Sequence, residues 1–227
     1  MKIIKEQEKG NLIVISGPSG SGKGSIINGI LSKNKKVWNS VSLTSREKRK
    51  GEKEGVDYHY ITEEMFLKKI DEDYFLEYNY YNGNYYGTPK EYINEKLNSG
   101  NDVILEIDIN GALKVKELIP DTIFIFILPP DIEDLIKRLE KRGTESKDKI
   151  LERFKRAYKE INEITKYNYV VINDDLNDAI NKVDAIFKAE RCRVDRIEEI
   201  YLNTDEEAMH ELLIDYENII NEERNIV

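Results

Sequence analysis

A run of glycine, serine and lysine is the strongest chemical signal in this sequence. It reads GPSGSGKGS over residues 17–25, directly after an apolar run and before a helical pattern. Glycines let successive backbone N–H groups converge on a phosphate, and the N-terminus of the following helix adds positive potential. Lys23 adds a mobile cation for the β and γ phosphates of a nucleotide. The stretch predicts a phosphate-binding P-loop, with a glycine turn that holds no ligand as the alternative.

The loop misses the strict phosphate-binding pattern by one place. Gly24 follows the lysine, so the hydroxyl arrives at Ser25 instead. The shift leaves either Ser25 or water as the contact for a magnesium ion.

Composition limits the classes of protein to consider. The chain has 227 residues, a hydrophobic share of 40%, a charged share of 35% and a net charge of -9. Such a chain suits one α/β domain with insertions or two small domains, and its acidity argues against nucleic acid as a partner. Cys192 is the only cysteine, and His59 and His210 stand alone, so neither a disulfide framework nor a histidine metal site is expected. We expect a cytoplasmic protein with no membrane span and no signal peptide.

Alternating strand and helix patterns must position the loop. Apolar strands are predicted at residues 12–15, 37–43, 103–109, 122–128 and 169–172, and helices after residue 25, at 90–97, after 131 and from 176 to about 196. This alternation predicts a parallel sheet covered by helices. Glu106 and Asp108 would then lie at the carboxyl end of a strand, where such sheets bind ligands.

Residues from about 42 to 90 look like a small β-rich insertion. A basic segment, 44–52, carries Arg46 and Arg49 and is either a solvated loop or an anion site. Residues 56–61 predict a strand, and Thr62 caps a short helix whose buried side should include Met65, Phe66 and Ile70. Asn-Gly at 82–83 between tyrosine-rich segments predicts a hairpin.

Two further segments lie beyond this pattern. Arginines at 138, 142, 153 and 156 are either a solvated helix face or a mobile basic excursion over the loop. A second capping box begins at Thr204 and precedes an amphipathic pattern. That tail helix needs an apolar partner, either this domain or a second subunit, so a homo-oligomer stays open.

Several motifs taken together resemble the guanylate kinase family, from the loop through about Arg196. They read GPSGSGKGS, SVSLTSREKRKGEKEGVDYHY, FLEYNYYNGNYYGTP, LEIDINGA, LPPDIEDLIKRLEKRGTES and VINDDL. The resemblance implies an α/β fold with a P-loop NTPase three-layer core around a parallel sheet, a β-rich GMP-binding insertion and a helical lid. The implied bounds are 1–41, 92–131 and 161–196 for the core, 42–91 for the insertion, 132–160 for the lid and 197–227 for a C-terminal helical extension.

The same resemblance implies reversible phosphorylation of GMP by ATP with Mg²⁺, in purine metabolism. It places catalytic groups at Lys23, Arg46, Arg138, Arg142 and Arg153. It places ATP at Gly17, Pro18, Ser19, Gly20, Ser21, Gly22, Lys23, Gly24, Ser25, Asn173 and Asp174. Because Gly24 stands where the family has a hydroxyl residue, the metal contact falls to Ser25 or to water. It places GMP at Ser42, Arg46, Arg49, Tyr58, Glu77, Tyr86, Gly87, Thr88 and Asp108. In this assignment, Glu77 reads the guanine edge, while Arg46, Arg49, Tyr58 and Tyr86 hold the phosphate.

Two rival functions remain at this point. A guanylate-kinase-like scaffold module binds proteins without catalysis and tends to lose the P-loop lysine and the GMP-binding set, whereas this chain keeps both. A P-loop kinase for another small phosphate acceptor would not need a carboxylate such as Glu77. The loop between Arg46 and Arg49 also departs from the family, with Thr44, Ser45 and Lys48 where threonine, threonine and proline are usual.

Overall fold

The computed structural model describes residues 4–5, 9–81, 83–140, 147–196, 199–200, 213–214 and 216. The chain divides into two compact units, a large one of Glu8–Lys188 and a small one of Met1–Gln7 with Ala189–Val227. Every residue that the sequence predicts for the site belongs to the large unit.

Strands and helices alternate along the described chain. The strands are β1 (Ile4–Lys5), β2 (Leu12–Ser16), β3 (Val37–Asn39), β4 (Leu43–Thr44), β5 (His59–Tyr60), β6 (Phe75–Tyr81), β7 (Asn84–Pro89), β8 (Asp102–Glu106), β9 (Ile123–Leu128), β10 (Tyr169–Ile172) and β11 (Glu199–Ile200). The α-helices are α1 (Lys23–Lys33), α2 (Glu63–Asp71), α3 (Lys90–Asn98), α4 (Ile109–Leu118), α5 (Ile132–Glu140), α6 (Lys147–Ile161) and α7 (Leu176–Glu190). In the small unit β1 and β11 form an antiparallel pair.

The predicted parallel sheet is present and has five strands in the order β10-β9-β2-β8-β3. Alternate residues of β2 face opposite sides, as the period of a strand requires. Ile13 and Ile15 pack with residues of α1 and α7, while Leu12 and Val14 pack with residues of α3 and α4. The large unit therefore has three layers, with helices on both faces of the sheet, and the fold class is confirmed.

The carboxyl edge of this sheet collects the predicted chemistry. The central strand β2 runs into the glycine loop, β8 runs toward Asp108, and β10 runs into Asn173. Ligands of open parallel sheets bind at this edge, because the loops that follow neighbouring strands meet there.

A second sheet, in the order β5-β4-β7-β6, occupies residues 43–89. Its antiparallel hairpin β6–β7 pairs Tyr81 with Asn84, and Gly83 takes a φ of 81°, so the predicted hairpin is confirmed. Phe66 of α2 stacks on Phe75 at 4.5 Å between ring centroids and covers the sheet. The core between α2 and this sheet is thus a mixture of aromatic and aliphatic side chains, with Leu43, Phe66 and Phe75 buried in it.

Three strand predictions are wrong in extent. Residues 37–43 do not form one strand, because β3 bonds to the parallel sheet and β4 bonds to the second sheet. The chain changes sheets between them, with the Ser40 N–H donating to Ile104 of β8 and the Ser42 carbonyl accepting from His59. The strand predicted at 56–61 shortens to β5. The one predicted at 103–109 ends at Glu106, because the Asp108 side chain accepts from the Gly111 N–H and caps α4.

Two helix predictions are also corrected. Thr62 caps α2 as predicted, but Met65 is 52% exposed. Successive residues of an α-helix point about 100° apart. Because Phe66 faces the second sheet, the preceding residue points away from it. Helix α7 ends at Glu190 and is followed by a short 3₁₀ turn, Val194–Arg196. The capping box at Thr204 lies outside the described residues, as does most of the tail. The predicted domain bounds stay a prediction.

Candidate active site

The glycine loop has the geometry of a phosphate cradle. Gly22 ends it in the left-handed region, with a φ of 90°, and α1 begins at the next residue, Lys23. A Cβ at Gly22 would lie 2.2 Å from the Nδ2 atom of Asn173, and one at Gly17 would lie 2.2 Å from the Ile127 carbonyl oxygen. Glycine is therefore required at both places by backbone conformation and by close packing.

Lys23 lies inside the loop. Its Nζ donates to the carbonyl oxygens of Gly17 at 2.7 Å and Pro18 at 3.3 Å. The ammonium group is thus held against the loop on which phosphates are expected. Glu160 of α6 is a further acid in this environment, and the sequence did not suggest it. Burial raises the pKa of Glu160 to about 7, although the charge of Lys23 acts to lower it.

A pocket of about 370 Å³ lies beside the loop. Its lining combines three predicted groups, namely the loop, an arginine of α5 and the segment after β10, and adds one residue that the sequence did not suggest, Leu176. The lining residues are Gly20, Gly22, Ser25, Arg138, Asn173, Asp174 and Leu176. The structure therefore brings Arg138 and the segment after β10 to the loop.

Asn173 connects the pieces of this pocket. Its Nδ2 donates to the Ser21 carbonyl at 2.7 Å, and its own carbonyl accepts from Nη2 of Arg138 at 3.0 Å. Arg138 also pairs with Asp134 one turn earlier on α5. Two further predicted arginines are not placed, because Arg142 and the side chain of Arg153 lie outside the described part of the chain.

Replacing Gly22 with alanine is expected to raise the KM for ATP about tenfold and to lower the melting temperature by several degrees. The new Cβ must displace the Asn173 amide, and an L residue at this φ costs about 1–2 kcal/mol. Steady-state kinetics and thermal unfolding measure both effects. Gly24→Ala is the matched control, since its Cβ meets no atom within 4 Å. Identical behaviour of the two variants would contradict this account of the loop.

Arg46 follows strand β4 of the second sheet and belongs to a network of charged and aromatic side chains. Its Nη2 pairs with Oε1 of Glu52 at 2.8 Å, and its guanidinium carbon lies 5.5 Å from the ring centroid of Tyr58 and 5.8 Å from that of Tyr60. Tyr58 in turn packs edge-on against Tyr86, with 5.8 Å between ring centroids. The structure thus gathers Arg46, Tyr58 and Tyr86, three of the predicted phosphate ligands, and it leaves the Arg49 side chain exposed.

Glu52 organises this network, and the sequence did not single it out. Its Oε2 accepts from the Arg49 backbone N–H and from the Tyr60 hydroxyl, both at 2.8 Å. Burial alone would raise the pKa of Glu52, but hydrogen bonds from Arg46, Arg49 and Tyr60 lower it to about 2. The only available sequence signal was an acid within a basic loop, which is also typical of a solvated surface.

Strand β6, an edge strand of the second sheet, carries a buried carboxylate. Glu77 is 7% exposed, and its Oε1 accepts from the Thr88 hydroxyl at 2.7 Å. Burial raises its pKa to about 7, with a further contribution from Asp108. A Cβ at Gly111 would lie 2.8 Å from Oε2 of Glu77, so the first turn of α4 comes close to this carboxylate. Of the remaining predicted residues, Gly87 pairs with Leu43 and Tyr78, and Ser42 lies partly buried just before β4.

Neither metal clusters nor membrane spans appear in the described ranges. No group of three or more His, Cys, Asp or Glu side chains there could hold a metal ion. No helix of the described chain is both long and apolar enough to cross a membrane. His59 contacts Glu54 at 3.0 Å on the surface, and His210 falls outside the described residues.

A glycine loop after the central strand of a parallel sheet, with a lysine inside it and a helix behind it, defines a P-loop nucleotide-binding protein. A protein-family model described as Guanylate kinase matches residues 9–190. The chain belongs to the guanylate kinase family.

Individual relatives agree with this assignment over most of the chain. A guanylate kinase of Clostridium perfringens is 53% identical over 215 residues, which are 95% of this chain and 100% of that protein. One of Caldanaerobacter subterraneus subsp. tengcongensis is 54% identical over 206 residues, 91% of this chain and 99% of that protein. The crystal structure of guanylate kinase from Anaplasma phagocytophilum matches with a TM-score of 0.75 at 29% identity, covering 91% of this chain and 98% of that one.

Proposed function

We propose that this protein transfers the γ-phosphoryl group of ATP to GMP, reversibly, and forms ADP and GDP. Family membership supports the reaction, and the buried carboxylate of Glu77 is the observation that carries the choice of acceptor. One oxygen of that carboxylate is held by Thr88, which leaves the other for a ligand.

Glu77 suits guanine better than the other bases. A carboxylate can accept from both N1–H and the exocyclic N2 amine of guanine, and adenine offers neither donor at that edge. A site whose buried hydrogen-bonding groups are left unpaired by the wrong base can discriminate by about 10⁴-fold. Arg46, Tyr58 and Tyr86 lie together at the same sheet and would receive the GMP phosphate as charge-assisted and phenolic donors, together with Arg49.

Catalysis in this proposal is positioning and charge stabilisation. The loop N–H groups and Lys23 would hold the donor phosphates, and Asn173 and Asp174, which line the pocket, would lie near the adenine. Arg138 already lies at that pocket, while Arg142 and Arg153 are assigned on resemblance alone. Guanidinium groups stabilise the charge that spreads over the transferring phosphoryl oxygens.

Magnesium fits the residues present. Ser25 lines the pocket beside the loop glycines and supplies a hard oxygen ligand, and no carboxylate cluster competes for the ion among the described residues. Mg²⁺ in such sites keeps several waters and binds mainly to phosphate oxygens. Ser25 would therefore be its one protein contact in this proposal, and the bound ion would neutralise charge on the β and γ phosphates.

The proposal extends to the setting of the protein. We place the activity in the cytoplasm, with ATP and GMP as small-molecule partners and neither nucleic acid nor membrane as a target. A single thiol, Cys192, is consistent with a reducing compartment. The core, insertion and lid bounds given above remain part of the proposal, and the tail helix packs either on this domain or on a second subunit.

The deciding experiment is a coupled assay of ADP formation with ATP, Mg²⁺ and each of GMP, AMP, CMP and UMP. Turnover confined to GMP is the expected result. No turnover with any nucleotide, from folded protein that still binds GMP, would instead favour the scaffold module. Turnover with a different acceptor would favour a P-loop kinase of other specificity and would remove the role given to Glu77.

A further inference from the structure

Asn79 lies at the centre of the acceptor site but belongs to no predicted set of residues. On β6 it shares one face with Glu77, two residues away, and it is directly opposite Tyr86 on β7. It therefore stands between the residue assigned to the base and one assigned to the phosphate.

The amide of Asn79 contacts Asp108 across two elements. Its Nδ2 donates to Oδ2 of Asp108 at 3.0 Å, whereas Oδ1 of Asp108 accepts from the Gly111 N–H at 2.9 Å. Each carboxylate oxygen of Asp108 thus has its own donor, one from the second sheet and one from α4. Two fixed donors on one planar group determine both its position and its rotation.

We propose that Asn79 is a positioning residue for guanine recognition, which holds the Asp108 carboxylate in the orientation that accepts one hydrogen of the exocyclic N2 amine, while Glu77 accepts the other. The inference rests on the proposed function. Asn79 acts through Asp108 and is not assigned a contact with the reacting phosphates.

Removing the Asn79 amide should weaken the contact between Asp108 and the N2 amine of guanine and leave the other contacts to the base unchanged. A hydrogen bond to a charged group is worth enough to change binding by about 10- to 150-fold, and only part of this loss reaches the base because Asp108 keeps its Gly111 partner. Without the Asn79 amide, Asp108 keeps only the Gly111 partner and can rotate away from the base. The loss should therefore depend on whether the acceptor carries an N2 amine.

The test compares GMP with IMP, which lacks that amine, in the wild type, Asn79→Ala and Asn79→Ser. We expect the ratio of kcat/KM for GMP over IMP to fall about 5- to 50-fold in both variants. The KM for ATP should stay within twofold of the wild type. The kcat/KM of Asn79→Asp with GMP should be lower than that of Asn79→Ala, because the aspartate places a second carboxylate against Asp108.

Asn98→Asp is the matched control for charge, since Asn98 is exposed at the C-terminal end of α3 and belongs to no set of site residues. An equal loss with GMP and IMP would show a structural role only and would overturn the inference, as would an unchanged ratio. If the wild type turns over GMP and the variants have the same ratio of kcat/KM for GMP over IMP as the wild type, only this inference is contradicted. A wild type without GMP turnover defeats the proposed function as well.

Discussion

Replacing Glu77 with glutamine is expected to lower kcat/KM for GMP by at least about 100-fold while leaving the KM for ATP within about twofold. The amide turns one acceptor oxygen into an NH₂ donor, which then faces the donors of the guanine edge and leaves buried polar groups unpaired. Steady-state kinetics with each substrate varied in turn measures the effect. Unchanged turnover with GMP would remove this account of base choice.

The same variant should be more stable than the wild type at alkaline pH. Burial raises the pKa of Glu77 from 4.5 to about 7, so between these values the folded protein binds a proton that the unfolded chain has released. The free energy of unfolding of the wild type therefore falls as pH rises through this window, by about 2 kcal/mol between pH 5 and pH 8. Glutamine has no such titration.

Thermal unfolding at pH 5 and pH 8 without nucleotides tests this second effect. The advantage of Glu77→Gln over the wild type should grow by about 4–8 °C in melting temperature from the lower to the higher pH. Glu117→Gln on the exposed side of α4 is the control and should show no such pH-dependent gain. A constant difference at both pH values would contradict the raised pKa.

Replacing Lys23 with alanine is expected to reduce kcat by about 10³-fold. The Lys23 ammonium is the only cationic group that the structure places within the loop itself among the described residues, where its Nζ contacts Gly17 and Pro18. Removing one preorganised donor from a developing anion costs about 10²–10³-fold, and the lost charge adds to that. The assay is ADP formation at saturating ATP and GMP.

Two companion variants make the result specific. Lys33→Ala removes a lysine from the other end of the same helix, where Lys33 donates to Asn181 on the surface, and should keep kcat within twofold. Lys23→Arg keeps the charge but not the shape of the side chain, and its kcat should lie between those of the wild type and Lys23→Ala. Near wild-type turnover in Lys23→Ala would contradict the catalytic role of the loop.

Local patterns in the sequence were sufficient for the parallel core. The apolar runs at β2 and β9 are long and near-continuous, as strands buried on both faces must be, and each was predicted within one residue of its observed bounds. The glycine loop was predictable because its glycines, lysine and helix start are contiguous, so neighbouring residues alone determine its conformation. The β6–β7 hairpin followed from Asn-Gly for the same reason.

Local patterns did not predict which strands pair with each other. Residues 37–43 alternate as one strand, yet the chain leaves β8 after Ser40 and joins β7 at Leu43. The partner strands β8 and β7 lie more than 40 residues away along the chain, and no local window contains them. Met65 and Phe66 are equally apolar neighbours, and only the position of the second sheet decides which one is buried.

The residues themselves determined the P-loop, the alternating core, the hairpin and the family, because each depends on short-range chemistry or on motif order. The tertiary structure alone decided that Glu52 orders Arg46, that Asn79 holds Asp108, and that Glu77 is buried enough to have a pKa of about 7. Those three facts come from contacts between β6, β7, α4 and the basic loop. Burial and charge pairing are properties of the assembled site, because both depend on which distant groups exclude water from a side chain.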